Sequence, residues 1–214
     1  MKTELIEKTK EYVKDFFKED FSGHDYYHTI RVYNLARKIA MIEGGDSEII
    51  ELAALLHDVD DYKLVKKNNE LFHNAKTFLK LNNIDEKEIN NICDAISTVS
   101  YKGTDTVTPK TLEGKIVQDA DRLDAIGAIG IGRTFAYGGS HNVCMHIPGL
   151  KYKENMSAEE YYQNVGTTIN HFYEKLLKLK DLMNTKTAKN IAENRHIYME
   201  NFLNEFFEEW DGNK

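Results

Sequence analysis

An all-α fold is what this chain predicts, on three observations. Apolar residues recur at helical spacing almost throughout, strand alternation is nearly absent, and only two prolines interrupt 214 residues. Residues 2–18 read as an amphipathic helix, broken by Ser22-Gly23. A helix over 25–43 follows and stops at Gly44-Gly45. Asp46 or Ser47 caps the next, whose apolar run from Ile49 to Leu56 leads straight into His57-Asp58. A helix over 68–81 precedes Asn82-Asn83. Asp85 with Glu88 has the form of a capping box, and Ile89, Ile92, Ile96 and Val99 behind it mark one buried face.

The stretch 100–109 is polar and turn-like, and 111–137 then reads as one long helix carrying Asp119, Asp121 and Asp124. Gly127, Gly130 and Gly132 each cost that helix up to about 1 kcal/mol relative to Ala, a cost tolerable where another helix packs very closely. A loop over 138–156 holds His141, His146 and Pro148. Ser157 with Glu160 starts a capped helix with Tyr161, Val165, Ile169, Phe172 and Leu176 as its stripe. The last helix, 186–210, carries Ile191, Tyr198, Phe202, Phe206 and Trp210, which read as packing residues. No repeat, low-complexity tract or linker interrupts the chain, so a single all-α helical bundle over 1–214 is expected.

Composition narrows the function classes. A formal charge of −7 argues against a general nucleic-acid binder, while leaving room for a local basic pocket. Cys93 and Cys144 form no CxxC pair, and the N-terminus lacks the apolar core of a secretory signal. No apolar run approaches the roughly 20 residues a membrane helix needs. A cytoplasmic protein with no membrane association is the expectation. The aromatic C-terminal helix either buries itself or forms a homodimer face.

Three pieces of sequence carry the chemistry: His28, the adjacent pair His57-Asp58, and Asp121. They supply two imidazoles and two carboxylates in or beside apolar helical runs, where an ionisable group is costly unless paired or metal-bound. This N/O set suits one divalent cation, Mn, Fe, Co, Ni or Zn better than calcium or magnesium alone. Neighbours on a helix point about 100° apart, so His57 and Asp58 share an ion most easily where their helix ends.

These pieces resemble the HD-domain metal-dependent phosphohydrolases, named for a His…His-Asp…Asp ligand set. The motif resemblance covers about residues 20–137 and extends more loosely through 133–139 and the ending Phe206-Phe207-Glu208-Glu209-Trp210. Those last pieces look like the small stand-alone bacterial branch whose members act as nucleotide pyrophosphohydrolases. The resemblance implies metal ligands at His28, His57, Asp58 and Asp121, the last chosen over Asp119 and Asp124 because a basic residue, Arg122, follows it. Asp124, three residues on, shares its helix face and fits an outer supporting role.

Similar enzymes place a carboxylate that handles the water or its proton at the position of Asp61; Asp60 beside it fits a helix cap better. His24, Lys63, Lys102, Arg122 and Arg133 are the candidate substrate contacts. His73 has no matching later His-His pair, which favours one metal over two. The expectation is a phosphohydrolase with a single divalent ion, Mn first and Co, Ni, Fe, Zn or Mg as alternatives, acting on a small phosphorylated substrate, a nucleotide first. Hydrolysis of nucleoside triphosphates to monophosphate and pyrophosphate leads. A nucleotide monophosphatase, an alarmone or cyclic-nucleotide hydrolase, a non-catalytic nucleotide-binding module and a two-iron oxygenase are its rivals.

Overall fold

The computed structural model describes residues 2–18, 25–60 and 71–214. His24, Asp61 and Lys63 lie outside them, as do residues 68–70 of the helix expected over 68–81. Among the described residues there are ten α-helices, two 3₁₀ helices and no strand, so the all-α expectation holds. The chain divides into two compact units, the first ending at Asp121 and the second formed by residues 102–105 and 122–214.

The first unit contains α1 (Lys2–Phe16), α2 (Tyr26–Glu43), α3 (Ser47–Leu56), α4 (His73–Leu81), α5 (Glu86–Ser97) and the larger part of α6 (Leu112–Asp124). Helix α3 is its centre, packed against α1, α2 and α5. Every residue from Leu52 to Leu56 is fully buried, which is why its sequence is apolar on all sides. Each large aliphatic side chain there contributes about 1.5–3 kcal/mol by leaving water. Asp46 caps α3, its carboxylate accepting from the Glu48 and Ile49 N–H groups. Gly44 ends α2 in a conformation with φ +86°. Ile89, Ile92, Ile96 and Val99 are all buried, as their spacing predicts.

The second unit contains α7 (Gly127–Ser140), α8 (Ala158–Gln163), α9 (Thr168–Glu174), a 3₁₀ helix over Leu176–Leu182 and α10 (Lys186–Trp210). Helix α10 packs on α7 and on the 3₁₀ segment, and α7 meets α9. Phe135, Phe172, Phe202 and Phe206 form a connected aromatic cluster there, with ring centroids 5.8–6.3 Å apart.

Two expected helices are each two helices. The stretch 111–137 breaks between α6 and α7, because Ile126 is extended and Gly127 takes φ +77°. Close packing accounts for Gly127, where an added Cβ would lie 2.9 Å from Arg195 Cγ. Gly130 instead faces the carbonyl of Ala125, and Gly132 has nothing within 4 Å. The helix starting at Ser157 does carry its capping box, but it ends at Gln163; Thr167 then caps α9. Val165, placed in the stripe by spacing, is therefore 90% exposed.

Candidate metal centre

His28, His57, Asp58 and Asp121 all belong to the first unit. His28 sits in the first turn of α2, where the Asp25 carboxylate accepts its backbone N–H at 2.7 Å and fixes the start of the helix. His57 is the residue that ends α3, so the pair His57-Asp58 leaves the helix and both side chains turn to one point. The His57 Nδ1 lies 2.9 Å from the Ala54 carbonyl. That geometry makes Nδ1–H the donor and leaves Nε2 as the free ligand atom.

One ligand atom from each of His28, His57 and Asp58 falls within 4.8 Å of the others. Asp58 Oδ2 is 3.3 Å from each Nε2, and Asp121 Oδ1 is 3.4 Å from His28 Nε2 and 3.9 Å from His57 Nε2. Ligand atoms at about 2.1 Å from one ion stand about 3.0–3.4 Å apart for ordinary coordination angles, so the spacing suits a single small cation. The two imidazoles are 1% exposed and Asp121 is 26% exposed, which puts the accessible side of the cluster at Asp121.

The donor chemistry asks for a cation. His57 Nε2 and Asp58 Oδ2 are buried and neither has a hydrogen-bond partner. A lone pair facing a carboxylate oxygen at 3.3 Å repels unless a proton or a metal ion lies there. Burial pulls the His57 imidazole down, but the Asp58 carboxylate and then Asp121 outweigh it and raise it to about 9. Burial likewise pushes Asp58 up, and the imidazoles of His57 and His28 overcome that, holding it well below the usual carboxylate range.

The remaining candidates have other surroundings. Asp60 accepts the Asn74 and Ala75 N–H groups, each at 2.9 Å, and so caps α4 from fourteen residues away. Arg122 is buried and donates from Nη1 to the Leu182 carbonyl. Arg133 Nη1 lies 3.1 Å from Asp124 Oδ2, both in the second unit. Lys102 is exposed beside the 3₁₀ turn Gly103–Asp105. His141 ends α7, stacked on Tyr137, and His146 packs edge-on to Phe206, Phe207 and Trp210.

Sequence reasoning missed the Asp25 cap under His28, although an Asp three residues before a helical His is a readable signal. It also missed the Ala54 carbonyl, which no side-chain pattern reveals.

The HD domain family matches residues 25–126. The uncharacterized protein YpgQ of Bacillus subtilis strain 168 is 37% identical over 199 residues, spanning 92% of this chain and 89% of its own. Among solved structures, a Lactobacillus plantarum protein superposes with a TM-score of 0.87 at 38% identity, covering 96% of each chain. An HD-superfamily hydrolase from Bacillus thuringiensis gives 0.77 at 43% identity, covering 99% of this chain and all of its own. YpgQ solved in complex with ADP gives 0.74 at 32% identity, covering 98% and 100%. Likeness of this degree, over nearly the whole of both chains, shows that the chain belongs to the HD-domain family.

Proposed function

We propose that this chain is a metal-dependent phosphohydrolase acting on nucleotides, and that it cleaves nucleoside triphosphates between the α and β phosphates to give a monophosphate and pyrophosphate. The observation that carries the metal-dependent part is the facing pair of buried, unpartnered atoms, His57 Nε2 and Asp58 Oδ2, with Asp121 Oδ1 on the accessible side. The ADP bound to YpgQ supports a nucleotide as the ligand class. Cleavage at the α–β bond rests on the likeness of the motifs around Arg133 and Trp210 to pyrophosphohydrolases.

His28, His57, Asp58 and Asp121 would hold one divalent ion, Mn first. When bound there, such an ion would supply Lewis-acid chemistry, polarising a phosphoryl oxygen and lowering the pKa of water from about 15.7 toward about 7. His57 keeps its Nδ1 proton on the Ala54 carbonyl and so presents the neutral, ligating face of the ring. Asp61 is the proposed general base, taking the proton of the attacking water. His24, Lys63, Lys102, Arg122 and Arg133 are the proposed substrate contacts, offsetting charge on the phosphoryl oxygens.

A panel of nucleoside mono-, di- and triphosphates with Mn²⁺, phosphate and pyrophosphate being assayed separately, tests this reading. Pyrophosphate released stoichiometrically with monophosphate is expected. Phosphate as the first product moves the activity to a phosphatase on the same scaffold, and full turnover in His57→Ala with no bound metal refutes the metal site.

A further inference from the structure

The last turn of α6 runs from Asp121 to Asp124 and carries more than the proposed ligand. Its backbone ends on two short turns, with the Ala125 N–H on the Arg122 carbonyl and the Ile126 N–H on the Leu123 carbonyl, each at 3.2 Å. Helix ends fray, because their last carbonyls lack partners within the helix. Here a side chain adds a further bond to those two turns. Arg195, from the middle of α10, donates its Nη1 to the Leu123 carbonyl. A cation on that carbonyl also opposes the negative end of the helix dipole.

The seat for Arg195 is built in. Its stem lies against Gly127, which has no side chain and takes φ +77°. Burial pulls the Arg195 guanidinium down from its usual value, and the charge of Asp124 opposes that shift. Asp124 is itself only 2% exposed and is bonded to Arg133. Arg195 is a half-buried arginine bonded to a helix end two residues past Asp121.

We propose that Arg195 is a positioning residue for Asp121: by pinning the Leu123 carbonyl it keeps the last turn of α6 wound and so sets where the Asp121 carboxylate stands. The coupling runs along the backbone of α6 alone. It rests on the reading of Asp121 as a metal ligand.

The test measures Mn²⁺ binding to the full chain by titration calorimetry, for the parent protein, Arg195→Met, Arg195→Lys and Asp121→Ala. Arg195→Met is expected to bind Mn²⁺ about tenfold more weakly, the size of effect that losing an outer support typically has. Its half-saturating Mn²⁺ for turnover rises by the same factor, and kcat returns at saturating Mn²⁺, which a general loss of structure would not allow. Arg195→Lys, which keeps a donor, recovers most of the affinity. Unchanged affinity in Arg195→Met while Asp121→Ala loses binding overturns this inference alone. Parent-like binding by Asp121→Ala overturns the ligand reading beneath it. Should Arg195→Met fail to fold, hydrogen exchange on the parent protein decides. Slower exchange of the Ala125 and Ile126 amides on adding Mn²⁺ supports the coupling, and unchanged exchange there overturns it.

Discussion

His57 Nε2 and Asp58 Oδ2, from residues adjacent in the chain, face each other at 3.3 Å inside the protein with no hydrogen-bond partner. Burial pulls the His57 imidazole down, and Asp58 and then Asp121 outweigh it, raising it from 6.5 to about 9. The His57 contribution to stability is therefore fully present below pH 6.5 and is lost as pH rises through about 9. Asp58 works in the opposite sense: its contribution is present above 3.8 and is lost only as pH falls through its much lower folded value.

A divalent ion held by His57 would need the Nε2 lone pair that the proton of the charged imidazole occupies, so binding would release that proton. Calorimetric titration with Mn²⁺ near neutral pH, in two buffers of different ionisation enthalpy, is expected to show about one proton released per ion. Affinity rises with pH until His57 is deprotonated. A binding heat independent of the buffer would contradict the assignment of His57 as a ligand.

Asp60 supplies a second expectation, of the opposite kind. Its carboxylate accepts two backbone N–H groups at the start of α4, and Asn74 Nδ2 returns a bond to the Val59 carbonyl at 2.7 Å. Asp60→Ala is expected to destabilise the protein by about 1–2 kcal/mol, as losing a good helix cap does. Urea unfolding measures this. An Asp60→Ala protein of parent stability would show that the cap contributes nothing.

The two thiols differ in the same measurable way. Cys93 is buried, and burial pushes its thiol up to about 11 against the opposing charge of Lys76. Cys144 is exposed. Since the thiolate is the reactive form, one thiol per native chain should react with a disulfide reagent near pH 8, and two after unfolding. Two equally fast thiols in the native protein would mean that α5 opens readily.

What the sequence disclosed about the site was local. His57-Asp58 stands at the end of an apolar run, so the helix end and the proposed ligand pair are read from one stretch of ten residues. Asp121 needed the family likeness to separate it from Asp119 and Asp124, because all three lie on one helix. The Asp124–Arg133 pair and the bond from Arg195 to Leu123 were illegible, the second because 72 residues separate its partners and only folding brings them together. The break at Gly127 was hidden for a related reason. Helical periodicity continues on both sides of it, and the glycine takes its left-handed conformation beside a side chain from α10.

Gly127 and Gly132 therefore make a matched pair. An alanine at 127 would hold a side chain at φ +77°, with its Cβ 2.9 Å from Arg195 Cγ and 3.1 Å from Arg195 Cβ. A non-glycine residue in that region costs about 1–3 kcal/mol, and the Arg195 stem has to move as well. Gly132 lies within α7 with nothing inside 4 Å of the position a Cβ would take. There the same change narrows the unfolded ensemble without meeting an obstacle, so it stabilises by about 0.4–1 kcal/mol. Urea unfolding of Gly127→Ala and Gly132→Ala should move the midpoint in opposite directions at similar slope. A Gly127→Ala protein as stable as Gly132→Ala would mean that neither the backbone conformation nor the Arg195 stem constrains that position.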